Sequence, residues 1–219
     1  MIESVHGIIF RTRRFTETSL IVWWLTPALG RLSTIAKGAL RAKSPFRGKL
    51  DLFYEAEFSF ARSRRSELHT LREINLRDTH APLRRELGLL RQAAYAAGLV
   101  EQGTERETPL PGPYELMRGF LDALPGGAIQ AEMVYSFELK FLHELGLQPD
   151  VQGSQLPAGT RRIAADLAAN DWTAVRRLRS TPAQSAQLKW FLQDFIAFHL
   201  GKVPRGRNAA LGAEDSRRL

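Results

Sequence analysis

The chain has 219 residues, 44% apolar and 25% charged, which suits a soluble globular protein and argues against global disorder. Its net charge of +8 points to a polyanionic partner, either nucleic acid or an anionic membrane surface. Cysteine is absent, which excludes disulfides, thiolate nucleophiles and cysteine-based zinc or iron–sulfur sites. Arg11, Arg13, Arg14 and Glu17 interrupt the apolar stretches of residues 1–30, so no signal peptide is expected there. No run of about 18 apolar residues could span a bilayer, and the expected location is the cytoplasm.

The first third reads as strands. Val5 to Phe10 is apolar and β-branched around Gly7, which suggests a bulge or bend. Leu20 to Leu25 is a continuous apolar run, too short for a helix, and it ends in the turn Thr26-Pro27-Ala28-Leu29-Gly30. Arg31 to Ala36 follows as its partner, and a loop from Ala36 to Lys49 is broken by Gly38, Pro45 and Gly48. From Leu50 to Phe60 apolar and polar residues alternate, with Phe53 as an apolar intruder on the polar side. A turn at Arg62–Ser66 leads to a fifth strand over Leu68–Leu76. Five strands in this span suit a small closed barrel of OB type over residues 1–78, although an SH3-like barrel would satisfy the same pattern.

At Pro82 the period becomes helical. Leu83, Leu87, Leu90, Ala94 and Ala97 form one stripe, ending near Gly98. Further helices are predicted over Tyr114–Leu124, Ile129–Leu145, Arg161–Ala169, Trp172–Leu178 and Ala183–Leu200. The expected architecture is α+β with two domains: the five-stranded barrel, then an all-helical domain over 79–205. Residues 206–219 are expected to form a mobile tail.

The charge is uneven. Residues 1–78 hold 14 Lys and Arg against 8 Asp and Glu, which is most of the formal excess. Arg31, Lys37, Arg41, Lys43, Arg47 and Lys49 follow one another without an intervening acid. With Arg11, Arg13 and Arg14 at the end of strand one and Arg62, Arg64 and Arg65 in the later turn, they are the candidate phosphate-binding residues. A groove for single strands needs such cations together with flat faces on which bases stack. Phe46 is either a stacking residue or a loop anchor. Trp23 and Trp24 point to opposite faces of one strand, so one is a core residue and the other packs or stacks. Trp190 and Phe198 lie off the main stripe of the last helix, as domain contacts or a partner groove.

Catalytic chemistry finds no support. Glu55 and Glu57 share one face of a strand, where edge solvation explains them, and they do not form the carboxylate cluster a metal-dependent nuclease needs. The five histidines are scattered, and no Walker-type glycine-rich loop precedes a Lys-Ser/Thr pair. Neither a metal nor another cofactor is expected.

In this order the segments resemble the RecO family. The motifs are Gly7-Ile8-Ile9-Phe10-Arg11-Thr12-Arg13, Glu17-Thr18-Ser19-Leu20-Ile21-Val22, Gly30-Arg31-Leu32-Ser33 running to Ala36-Lys37-Gly38-Ala39, Phe46-Arg47-Gly48-Lys49-Leu50 and Leu71-Arg72-Glu73. Phe137-Glu138-Leu139-Lys140-Phe141-Leu142, Glu144-Leu145-Gly146 and Phe198-His199-Leu200-Gly201 extend the resemblance into the helical region. It implies an N-terminal OB-fold, binding of single- and double-stranded DNA, and annealing of complementary strands. It also implies work with RecR in loading the RecA recombinase onto DNA coated by single-strand-binding protein, with no bond made or broken. An RNA-binding OB-fold protein in translation or RNA turnover is the alternative, because basic grooves read backbones of either sugar. The chain departs from the family twice. Leu147 to Gly153 has none of the four cysteines of the zinc module many members carry, and Val134-Tyr135-Ser136 stands where members often have arginine near the pocket for the single-strand-binding-protein tail.

Overall fold

The computed structural model describes residues 1–212. Two compact units emerge: Met1–Ala81 with Thr104–Arg118, and Pro82–Gly103 with the described residues from Gly119 on. The helical region expected over 79–205 is therefore interrupted, because residues 104–118 pack with the barrel.

The first unit is a closed barrel of β1 (Ile2–Arg14), β2 (Leu20–Thr26), β3 (Gly30–Ala36), β4 (Glu55–Ala61) and β5 (Leu68–Asp78), in the order β1-β2-β3-β5-β4. Closure uses a parallel β3–β5 contact over Ser33–Ile35 and Leu68–Thr70. One long first strand pairs with both β4 and β2. That arrangement is the OB-fold, and it decides between the two barrels the strand count allowed. β1 changes partner at Gly7–Ile8, and Gly7 permits the change: a Cβ there would lie 2.7 Å from the Leu25 carbonyl oxygen. The expected bulge falls three residues later, between Ile9 and Arg11.

The core holds Ile9, Val22, Trp24, Leu32, Phe58 and Phe60 among others. Trp24 is the buried member of the tryptophan pair, stacked on Phe58 at 3.8 Å with its indole N–H donating to Thr34 Oγ1 at 2.9 Å. The eleven-residue alternation around Phe53 is only partly strand. Phe53 adopts φ 63, buries its ring and starts a new course, so the ladder begins at Glu55. Glu55 and Glu57 then separate. Glu55 is buried and accepts from the Tyr114 hydroxyl at 3.0 Å, whereas Glu57 is exposed and pairs with Arg77. Burial and the Glu55 carboxylate together raise the Tyr114 pKa.

In the second unit Pro82 opens only a short 3-10 turn (Ala81–Arg85), and α1 runs over Leu87–Gly103, past Gly98. α2 (Pro111–Ala123) belongs to the first unit as far as Arg118 and to the second from Gly119, and α3 (Ala131–Glu144) is the central helix of the second unit, buried around most of its circumference. Its polar residues are satisfied internally: Ser180 donates to Glu132, and Ser136 donates to the Leu167 carbonyl at 2.7 Å. The remaining helices are α4 (Ala158–Ala169), α5 (Trp172–Val175), α6 (Pro182–Leu200) and α7 (Arg207–Ala210). A Thr181–Gln184 capping box starts α6, and Gly201 ends it at φ 79.

Residues 206–212 of the expected tail are ordered. Arg207 is 3% exposed and grips Glu138 of α3 with two hydrogen bonds, 2.6 and 2.8 Å, while Tyr95 of α1 donates to the same carboxylate at 2.5 Å. Burial of an ion pair of this kind is a tertiary event, which explains why a polar, glycine-rich segment read as a tail. Residues 213–219 lie outside the described residues. No helix among the described residues is long and apolar enough to cross a membrane.

Candidate nucleic-acid interface

Because Trp24 points inward, Trp23 points out. Register places it opposite Arg11 on β1 and Ser33 on β3, so Arg11, Trp23 and Ser33 form a row across three strands. The Arg11 guanidinium lies 5.0 Å from the Trp23 ring, and the indole remains half-buried. A flat ring beside a guanidinium offers a base a stacking surface and its phosphate a cation. Arg13 is two residues along on the same face, paired with Ile21.

Arg14, the last residue of β1, pairs with Leu20, which pairs with Ala36. Lys37 follows at once, so Arg14 and the start of the basic loop share one end of the barrel. The loop stays there: the Gly38 and Leu40 N–H groups donate to Ser19 Oγ at 3.3 Å and the Thr18 carbonyl at 2.9 Å. Lys37, Arg41, Lys43 and Arg47 are exposed. None of Arg13, Arg14, Lys37, Arg41 and Lys43 forms an ion pair among the described residues.

The loop is more ordered than its glycines and proline suggest. Successive turns close from Arg41 to Gly38, Ser44 to Arg41, Arg47 to Ser44 and Lys49 to Phe46. Phe46 is the anchor, 7% exposed and part of the barrel core. Burying such a ring contributes about 1.5–3 kcal/mol, enough to pin a loop whose exposed cations gain almost nothing from folding. Phe46 is therefore not a stacking residue. Lys49 is half-buried, its ammonium turned toward the Ile74 carbonyl at 3.4 Å.

Four further candidates differ from the expected picture. Arg31 is 8% exposed, its guanidinium donating to Thr104 Oγ1 at 2.8 Å and to the Thr104 carbonyl, so it fastens residue 104 instead of facing solvent. Arg62 grips both oxygens of Glu3, at 2.6 and 3.0 Å, and reaches Glu107 at 2.6 Å. The Glu3 hydrogen bond, followed by the Glu107 one, raises the Arg62 pKa, and Arg62 in turn lowers that of Glu3. Arg64 and Arg65 are exposed, but their turn sits beside Ile2, at the opposite end of β1 from Arg14. The basic segments thus do not all gather on one side.

Arg72 was not singled out as a site residue. It is exposed at the β5 bulge between Leu71 and Glu73, two residues past the Ile35–Thr70 pair, as Lys37 is on β3. Only the parallel β3–β5 pairing brings them together, and no local pattern announces that pairing.

Residues 1–80 match the family described as Recombination protein O N terminal, and residues 84–155 match Recombination protein O C terminal. A DNA repair protein RecO of Bacillus velezensis is 30% identical over 207 residues, covering 93% of this chain and 80% of that protein. The chain belongs to the RecO family. Others in the family include the DNA repair protein RecO of Exiguobacterium sibiricum, 28% identical over 153 residues (70% of this chain and 61% of that protein). That of Rhodopirellula baltica is 32% identical over 146 residues, with 67% and 54% covered. The match thus spans less than two thirds of the length of these last two relatives.

The zinc module of the family does not fit here. Between Leu147 and Pro157 there is neither cysteine nor histidine, and Asp150, the one acid, accepts from the Gly153 N–H at 2.9 Å. Val134, Tyr135 and Ser136, at the positions where members often carry arginine, are buried in the helical unit, with Tyr135 donating to the Ser185 carbonyl at 3.0 Å.

Proposed function

We propose that this chain is a DNA-binding recombination mediator in DNA repair, acting in the cytoplasm at the nucleoid. On this reading it anneals complementary strands and, with RecR, helps load RecA onto single strands coated by single-strand-binding protein. The observation that carries it is the Arg11–Trp23 row beside an acid-free run of exposed cations. Arg13, Arg14, Lys37, Arg41, Lys43 and Arg47 track phosphates, and Trp23 takes a base. The contacts are to backbone and ring faces, so binding is indifferent to sequence. Bringing two strands together requires charge neutralisation, which exposed cations supply, and no bond cleavage. A contact with single-strand-binding protein would use a surface other than the buried Val134–Ser136 segment.

The test pairs two measurements on the full chain. Complementary oligonucleotides should anneal faster with the protein than without it, also when precoated with single-strand-binding protein. Unlabelled single-stranded DNA should compete for a labelled DNA strand better than RNA of equal length and sequence. Absence of annealing, or preference for RNA, would overturn the proposal in favour of an RNA-binding OB-fold protein.

A further inference from the structure

The parallel β3–β5 contact starts only at Ser33, so the first residues of β3 lack a partner on that side. Residues 104–110 fill the gap as a strap. Arg106 bridges Arg31 in parallel, the Glu107 N–H donates to the Arg31 carbonyl at 2.9 Å, and the Leu110 N–H donates to the Pro27 carbonyl at 3.0 Å. The strap lies so close to Gly30, at φ +64, that a Cβ there would overlap the Thr108 carbonyl oxygen.

What holds the strap is polar. None of residues 104–109 is buried, so no apolar side chain in that stretch fastens it. Its grip is electrostatic: Arg106 on Glu67, and Glu107 on both Arg62 and His69, at 2.6 and 3.2 Å. His69 Nδ1 accepts from the Ser63 N–H, which leaves Nε2 to donate to Glu107. The Thr104 end is fastened by the buried Arg31 and Glu107 also meets the buried His69, but the Arg62–Glu107 and Arg106–Glu67 pairs are open to solvent, and segments secured by such pairs and few apolar contacts open at low free-energy cost.

The chemistry at Arg62 is that of an anion site already filled. A guanidinium fork donates to carboxylate or phosphate oxygens in the same geometry, and here Glu3 and Glu107 occupy it. Arg62 adjoins Arg64 and Arg65, and Ser33, the third member of the Arg11–Trp23 row, donates to the Glu67 carbonyl at 2.9 Å. The strap and the row meet in a small cavity lined by Trp23, Ser33, Glu67 and Glu107.

We propose that Arg62 is a masked phosphate-binding position, closed by the Glu107 strap and opened when a single strand extends along the row past Trp23 and Ser33. Glu107 stands in for the phosphodiester until that strand displaces it. This rests on the DNA-binding reading above and adds its regulation in cis: a short strand uses the Lys37–Arg47 end alone, and a longer one must evict the strap.

Glu107→Gln keeps the size and an acceptor oxygen but removes the competing charge. Salt titrations with a long labelled oligonucleotide should show the slope of log affinity against log salt steepening by about 0.7, one single-strand contact. That corresponds to about fivefold tighter binding at 0.1 M salt relative to a 1 M reference. The double variant Glu107→Gln/Arg62→Gln should return to the wild-type slope. In the wild type, saturating DNA should speed amide exchange at Glu107 and Leu110. An unchanged or shallower slope in Glu107→Gln, a gain that survives the double variant, or undiminished protection at both amides would each overturn the proposal. Wild-type protein that fails to bind DNA at all would instead overturn the reading beneath it.

Discussion

Two arginines in this protein do the same thing in different surroundings. Arg207 in the helical unit and Arg62 in the barrel unit each hold both oxygens of a glutamate, yet the Arg207–Glu138 side chains are 3% and 0% exposed and the Arg62–Glu3 side chains 31% and 21%. A pair sealed from water cannot exchange partners without leaving a bare charge in the interior, so it acts as a fixed joint. A pair at the rim can trade carboxylate for water or phosphate at little cost. The helical unit thus uses its buried cation for architecture. Among the described residues, the barrel leaves Lys37, Arg41 and Lys43 without an ion pair and lends another cation, Arg62, to a polar clasp.

The largest effect expected from this contrast is at Arg207. Arg207→Ala leaves Glu138 buried and uncompensated, with Tyr95 as its remaining hydrogen-bond donor. Breaking a buried pair from one side typically costs about 3–5 kcal/mol. Urea unfolding should show that loss, and amide exchange of residues 207–212 should accelerate, while the salt slope of DNA binding in native conditions stays at the wild-type value. A loss below about 1 kcal/mol would mean that the pair is solvated and that the two arginines are not different in kind.

This joint also shows where sequence reading stops. The barrel was legible because its strands are apolar or alternating runs punctuated by turns, and the helices of the second unit because their stripes repeat at three and four residues. Arg207 was not, since Arg205-Gly206-Arg207 carries no apolar period, and its partner Glu138 sits on a helix 69 positions away. The alternation from Leu50 misled in the opposite way: the period was real, but Phe53 on the wrong face marked a left-handed residue at which the strand had not yet begun. At the candidate site, exposure separated cations that composition could not. Lys37, Arg41, Lys43 and Arg47 face solvent, whereas Arg31 and Arg62 are committed to Thr104, Glu3 and Glu107. Those commitments run through tertiary contacts of the 104–110 strap, which local pattern reads only as a loop.

The next effect in size belongs to the unpaired end. Replacing Lys37, Arg41, Lys43 and Arg47 together by alanine removes up to four phosphate contacts, each contributing roughly 0.7 to the slope on single strands. The slope should become shallower by about 2–3, equally for unrelated DNA sequences. Thermal stability should move by about half a kcal/mol or less, because Phe46 and the chain of turns, rather than the charges, hold the loop. An unchanged slope in a folded variant would shift the binding surface to Arg11, Arg13 and the Arg64–Arg65 turn.

The smallest effect, and the sharpest on the comparison, is expected at Arg62. Arg62→Ala removes a partly exposed ion pair, and exposed pairs contribute about 0.2–1 kcal/mol. The loss should therefore be near 1 kcal/mol or below, several-fold less than at Arg207. It should also depend on pH in one direction. The Arg62 hydrogen bond holds the Glu3 carboxyl below its ordinary 4.5, so the folded state binds the Glu3 proton less readily than the unfolded one. A depressed carboxylate stabilises the fold above the unfolded value, and the contribution is lost as pH falls through the lower folded value. The stability difference between wild type and variant should be full at pH 7 and shrink steadily in acid below 4.5. Urea melts of both proteins across that range measure it. For short oligonucleotides the salt slope should not change, because Arg62 is occupied by Glu3 and Glu107 before DNA arrives. A slope shallower by about 0.7 on short strands would place Arg62 on a phosphate in the resting complex. The distinction between the open and the clasped cations of the barrel would then fail.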